Sequence, residues 1–94
     1  MSDLSSLWEQ MLQDPEFRAY CEEKQIQMDV ANAILRGRAA QNLPREELAK
    51  LSGVSCQEIS DYENEERDID VKTVERIAKA LGCRVRITFE PMHN

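Results

Sequence analysis

The stretch over positions 43–63, LPREELAKLSGVSCQEISDYE, leaves few options for how the chain around it can fold. It reads as two short helices joined by a tight turn. Leu48 and Ala49 lie on the first helix, Gly53 and Val54 in the turn, and Ile59 and Tyr62 on the second. Gly53 can take the left-handed φ that ends the first helix at no steric cost. Ser55 then suits the N-cap of the second, because its hydroxyl can accept a backbone N–H two or three residues ahead. Ala49 is small where the two helix axes must come close. A chain of 94 residues makes one domain with a thin core, so association with another chain is expected.

Two helices joined in this way form the helix-turn-helix pattern, whose second helix enters the major groove of DNA. Upstream, Leu4, Leu7, Trp8, Met11 and Leu12 recur at the spacing of one helix face and predict an amphipathic helix over 4–13. That face either packs on the protein's own core or docks a partner, and the sequence weighs these evenly. Asp14-Pro15-Glu16 is a helix start, an N-cap acid followed by proline at the first helical position. A helix over 15–24 should bury Phe17 and either Tyr20 or Cys21. The polar run at 25–27 either continues that helix or breaks it; the break is favoured, with Met28 stapling and Asp29 capping the next one. Over 30–41, Ala31, Ile34, Leu35 and Ala39 then form a face.

Asp70 opens another helix, over 71–81, with Val74, Ile77, Ala78 and Leu81 on one side and Gly82 as its stop. The alternating, β-branched run at 84–89, RVRITF, predicts a strand ended by Pro91. The sequence offers no second strand. The simplest partner for a lone strand is its own copy in another subunit. A homodimer closed by a two-stranded antiparallel ribbon is therefore expected, with Val85, Ile87 and Phe89 inward. Three parts follow: an N-terminal helical extension at 1–28, the helix-turn-helix core at 29–82, and a dimerisation strand with its tail at 83–94.

The spacing LxxEELAKLSGVSxxxISxYE resembles the Cro/repressor-type (XRE) helix-turn-helix family. With DPEF at 14–17 and KTVERIAKALGCRVRITFEP at 72–91, the longer string is similar to the HigA-type antitoxins of bacterial toxin–antitoxin pairs. The resemblance implies a mostly α, lambda-repressor-like bundle and a DNA-binding repressor that acts on its own promoter through a pseudo-palindromic operator. It also implies a partner, a small basic ribonuclease toxin of the RelE kind. Arg38 falls on the family's arginine that pairs with a glutamate at the position of Glu63. Ser55, Cys56, Gln57, Glu58 and Asp61 fall on positions that touch DNA. Arg45 stands where relatives have a glutamine that grips phosphate, and Pro44 where they have a Thr or Ser cap. Asn42 and Glu65 stand where they have glycine, and Asn is the next best residue for a left-handed C-cap.

With Ile59, Tyr62 and Glu63 inward, the outward set on the second helix is Cys56, Gln57, Ser60, Asp61 and Asn64, with Glu58 on the flank. Gln57 is the best single reader, because its amide can bond adenine N6 and N7 together. Cys56, Gln57, Glu58, Ser60 and Asp61 are the base-reading candidates, and Arg45, Ser55, Asn64 and Arg67 the phosphate candidates. Exposed polar residues on any surface helix look similar, and Cys56, which near a helix N-terminus could be a reactive thiol, is more often a small neutral filler.

Charge pulls the other way. The net charge is −6, divided as −4 over 1–28, −3 over 29–82 and +1 over 83–94. Indiscriminate nucleic-acid binding is thereby disfavoured. The acids Glu58, Asp61, Glu65 and Glu66 motivate an alternative, a helix-turn-helix interaction module that no longer binds DNA; a free-standing regulator without a toxin is another. The acidic N-terminal part would suit a basic partner. Cys21, Cys56 and Cys83 lack metal or disulfide spacing, which fits a reducing cytoplasm and no metal or cofactor. The sequence predicts no membrane span and no secretory signal. An enzyme has little support, since His93 is the sole histidine and no nucleophile–base pair can be assembled.

Overall fold

The computed structural model describes residues 4–91; His93, raised above as the sole histidine, lies outside the described residues. Six helices follow one another: α1 Leu4–Met11, α2 Pro15–Glu23, α3 Gln25–Gln41, α4 Arg45–Ser52, α5 Cys56–Glu63 and α6 Val71–Ala80. The chain is mostly α and carries the expected helix-turn-helix in α4 and α5. α3 packs on α5, and α4 packs on both α5 and α6. Ile34, Leu48, Val54, Ile59, Tyr62, Ile77 and Leu81 make the buried core, with Val30, Leu43, Ala49 and Val74 against it.

α1 exposes Leu4, Leu7, Trp8 and Met11 and buries no residue. Leu12 is half-buried just beyond its end. Trp8 meets Phe17 of α2 edge-on, with ring centroids 5.5 Å apart. Asp14 caps α2 by accepting the Glu16 N–H at 3.0 Å, as the Asp-Pro-Glu start requires. Phe17 and Cys21 are half-buried while Tyr20 is exposed.

Two expectations are corrected here. The break after α2 is a single residue, Lys24, and α3 starts at Gln25 rather than at 30, so Met28 and Asp29 neither staple nor cap. Lys24 keeps φ −94° and ψ 2°, close enough to helical for the next turn to resume at once. Asp29 instead accepts the Gln25 side-chain N–H at 2.9 Å, a pairing one turn apart that favours helix over both residues. The buried stripe of α3 is Ala31 and Ile34, with Gly37 and Arg38 half-buried, whereas Leu35 and Ala39 point outward. Leu35 lies about 100° around the helix from Ile34, beyond a stripe that continues at 37 and 38.

Three helix ends close in the same way. The N–H five residues on bonds back from Leu43 to Arg38, from Glu66 to Asp61 and from Cys83 to Ala78, at 2.9, 2.9 and 2.8 Å. The residue before each closing N–H takes positive φ: Asn42 at 50°, Glu65 at 60° and Gly82 at 74°. This closure satisfies carbonyls that the helix leaves without partners. α4 ends on Gly53 at φ 73°.

From 83 to 91 the chain forms neither helix nor strand among the described residues. A strand needs a ladder of bonds to a neighbour, and a single chain supplies none here. Val85 is half-buried, while Ile87 and Phe89 are 65% and 96% exposed.

Of the three closing residues, Glu65 carries a Cβ and lacks the short side chain that makes the left-handed region tolerable for Asn. Glu65→Gly should therefore raise the unfolding free energy by about 1 kcal/mol, and Gly53→Ala should lower it by about as much. Urea denaturation of both variants checks this; a Glu65→Gly variant no more stable than the parent would contradict it.

Candidate nucleic-acid interface

The turn between α4 and α5 is built as its residues require. Gly53 donates its N–H to Ala49 at 2.9 Å, Ser52 Oγ accepts the Val54 N–H at 3.1 Å, and Val54 is buried. Ser55 caps α5, its Oγ accepting the Glu58 N–H at 3.1 Å. Leu48 and Ile59 meet in the core on either side of this turn, so α5 is held by its apolar face. Gln57 and Asn64 are exposed, while Cys56, Glu58, Ser60 and Asp61 are half-buried.

Glu63 is the one buried charged residue among those described, its side chain 1% exposed. Arg38 approaches it with two nitrogens, Nε to Oε2 at 2.7 Å and Nη2 to Oε1 at 3.2 Å. Arg38 Nη1 also donates to the Leu43 carbonyl at 3.1 Å. The family pair is therefore formed. A second arginine joins it: Arg45 Nε donates to Glu63 Oε1 at 2.6 Å. That hydrogen bond, and then the attraction of the carboxylate charge, raise the Arg45 pKa above its ordinary value. Sequence reasoning missed this contact. Arg45 carries the signature of a phosphate ligand, and nothing in its neighbours announces a carboxylate eighteen positions away.

Arg67 is similarly engaged. Its Nη1 lies 3.5 Å from Glu58 Oε2, its Nε 3.6 Å from Asp61 Oδ2, and its guanidinium carbon 5.9 Å from the centre of the Tyr62 ring. Gln57 Nε2 donates to Asp61 Oδ1 at 2.8 Å, and Asn64 Nδ2 to Ser60 Oγ at 3.4 Å. The acids Glu58 and Asp61 of α5 are thus partly neutralised from within the chain, and Ser55, Gln57, Glu58, Asp61 and Arg67 share one network, while Asn64 bonds Ser60 and Arg45 bonds Glu63 apart from it. Tyr62 anchors it: the ring is buried and its hydroxyl accepts the Asp70 N–H at 3.4 Å, tying the loop after α5 to the helix. The expected partner-binding residues of α1 do not join this surface.

A short helix held across a tight turn, with one apolar and one polar face, defines a helix-turn-helix protein, and comparison bears on which kind. The helix-turn-helix family matches residues 34–87, and the chain belongs to that family in its Cro/repressor-type (XRE) form. It is similar to Antitoxin HigA1 of Mycobacterium tuberculosis, in strains CDC 1551 / Oshkosh and ATCC 25618 / H37Rv, at 31% identity over 77 residues. That match takes in 82% of this chain and 52% of each relative, so the chain spans about half the length of the curated relatives it matches. No solved structure matches it. No helix among the described residues is long and apolar enough to cross a membrane.

Removing one member of a buried ion cluster strands the others, at a cost of about 3 kcal/mol or more, whereas a partly exposed pair is worth about 1 kcal/mol or less. Glu63→Gln should therefore destabilise by about 3 kcal/mol and Arg45→Ala by about 1 kcal/mol. Denaturation of both single variants and the double variant measures this. Equal losses for the two single variants would contradict it.

Proposed function

We propose that this protein is a dimeric, sequence-specific repressor of the antitoxin type. It binds a pseudo-palindromic operator in its own promoter and holds a small basic toxin. The observation that carries the DNA-binding part is the outward face of α5, where Gln57 stands exposed on a helix capped by Ser55 directly after the turn. Arg45, Ser55, Asn64 and Arg67 flank that face as phosphate contacts. Arg45 and Arg67 would act as shared charges, since each already faces a carboxylate.

The bare Ile87 and Phe89 support dimerisation. A segment with the alternating pattern of a strand, no regular element of its own and exposed large apolar side chains is stabilised by a second copy of itself. Two α5 helices related by a twofold axis then read half-sites about one helical turn apart. The toxin part rests on similarity to a relative named an antitoxin, on the −4 charge of residues 1–28, and on the exposed Leu4, Leu7, Trp8 and Met11. A second reading, an interaction module that no longer binds DNA, is favoured by Glu58 and Asp61 on the same face; their pairing with Arg67 weakens that objection.

Three measurements test the proposal. A footprint of the protein's own upstream region should show a protected, symmetric site, and no protection even at low salt would leave the interaction-module reading. Each phosphate neutralised adds about −0.9 to the salt slope of log affinity, and strong binders make roughly 6–10 such contacts. With few cations beside the outward face of α5 the slope here should be shallower than about −8 per dimer. Light scattering should give a dimer that Phe89→Asp converts to monomer; a monomeric parent would remove the ribbon.

A further inference from the structure

The geometry points to Asp61 as a positioning residue for base reading: it holds the Gln57 carboxamide in one orientation, and Arg67 holds Asp61. This rests on the reading of α5 as the helix that contacts bases. A glutamine side chain has two ends of nearly the same shape and opposite chemistry, an acceptor oxygen and a donor nitrogen. Untethered, it offers either end to a base. Gln57 is tethered by a 2.8 Å bond from Nε2 to Asp61 Oδ1, and an ionised carboxylate can only accept. The nitrogen must therefore face Asp61.

That leaves Oε1 as an acceptor and the second N–H as a donor for DNA. This pair matches adenine, which presents a donor at N6 and an acceptor at N7. Guanine presents acceptors at both O6 and N7. Asp61 is itself held: its other oxygen, Oδ2, faces Arg67 Nε at 3.6 Å, and the Arg67 guanidinium lies over the buried Tyr62 ring. A connected line of contacts runs from the core through Tyr62, Arg67 and Asp61 to the exposed amide. The carboxylate that weakens attraction to phosphate thus sets which base the neighbouring amide accepts.

A glutamine–aspartate pair one helical turn apart also steadies a helix without regard to any base, and the experiment separates the two roles. The full-length protein selects from a pool of random-sequence DNA duplexes as wild type, Gln57→Ala, Asp61→Asn and Asp61→Ala. The wild type should enrich an adenine in each half-site, and Gln57→Ala should lose it. In Asp61→Asn the new amide can donate to Oε1 as well as accept from Nε2, and in Asp61→Ala the tether is gone. Both should lower the adenine-over-guanine preference at that position about tenfold. Preferences at the positions that Gln57 does not face should be kept.

A uniform loss of affinity with the adenine preference intact would mean that Asp61 acts on the helix alone and would overturn the proposal. Enrichment at other positions without adenine in the wild type would overturn it while leaving α5 as a reader. Selection of no sequence by the wild type would overturn the base-reading assignment and this proposal with it. Independently of DNA, the Gln57 side-chain amide resonance should shift on Asp61→Ala; an unmoved resonance removes the contact itself.

Discussion

The Glu63 carboxylate, shared between two guanidiniums, is the interaction around which the motif is arranged. Arg38 comes from α3, Arg45 from the first position of α4, and Glu63 from the last residue of α5, so one buried acid joins three helices. Such a cluster adds little net stability, because taking the charges out of water offsets most of their attraction. Its effect is on geometry. An alternative packing that slid α5 along α4 would leave the carboxylate unpaired in the interior, which is costly, while the apolar contacts of Leu48 and Ile59 alone would tolerate small slips. Arg38 extends the constraint by donating to the Leu43 carbonyl, which fixes the loop leading into α4.

Much of the core architecture could be read from residue types alone. Gly53 and Ser55 mark a turn and a cap that need those residues, and both are used as expected. Asp14, Pro15 and Glu16 begin α2 for the same kind of local reason. α3 starts at Gln25 and not at 30 because Gln25, Ile26 and Gln27 are polar or apolar without being helix breakers, and Asp29 serves a helix interior as well as a cap when a glutamine four residues earlier can donate to it. Leu35 was misplaced because an apolar residue next to a buried one looks the same in a pattern whichever side of the stripe it falls on.

The candidate site was less legible than the fold. Which positions of α5 face outward follows from helical spacing, but the partner of each side chain depends on distances that spacing does not contain. Arg45 and Arg67 have the charge that phosphate binding requires, yet the acids they face come from elsewhere in the chain. Gln57 and Asp61 are four apart on one helix, so their contact could have been inferred; the further tie to Arg67 depends on the path of the loop. The net charge of −6 likewise says little about the outward face of α5, where cation and carboxylate are interleaved rather than segregated.

α1 stands apart from this economy of contacts. It is eight residues long, buries none of them, and has the Trp8–Phe17 edge contact as its aromatic anchor. Isolated helices shorter than about 12–15 residues are marginal in water. The chain therefore has two scales of cohesion, and a single melting curve reports the larger of them. The leading turn can loosen and re-form many times while the bundle behind it stays shut. A binding surface placed there would be gained or lost on its own clock, without disturbing helices α3 to α6.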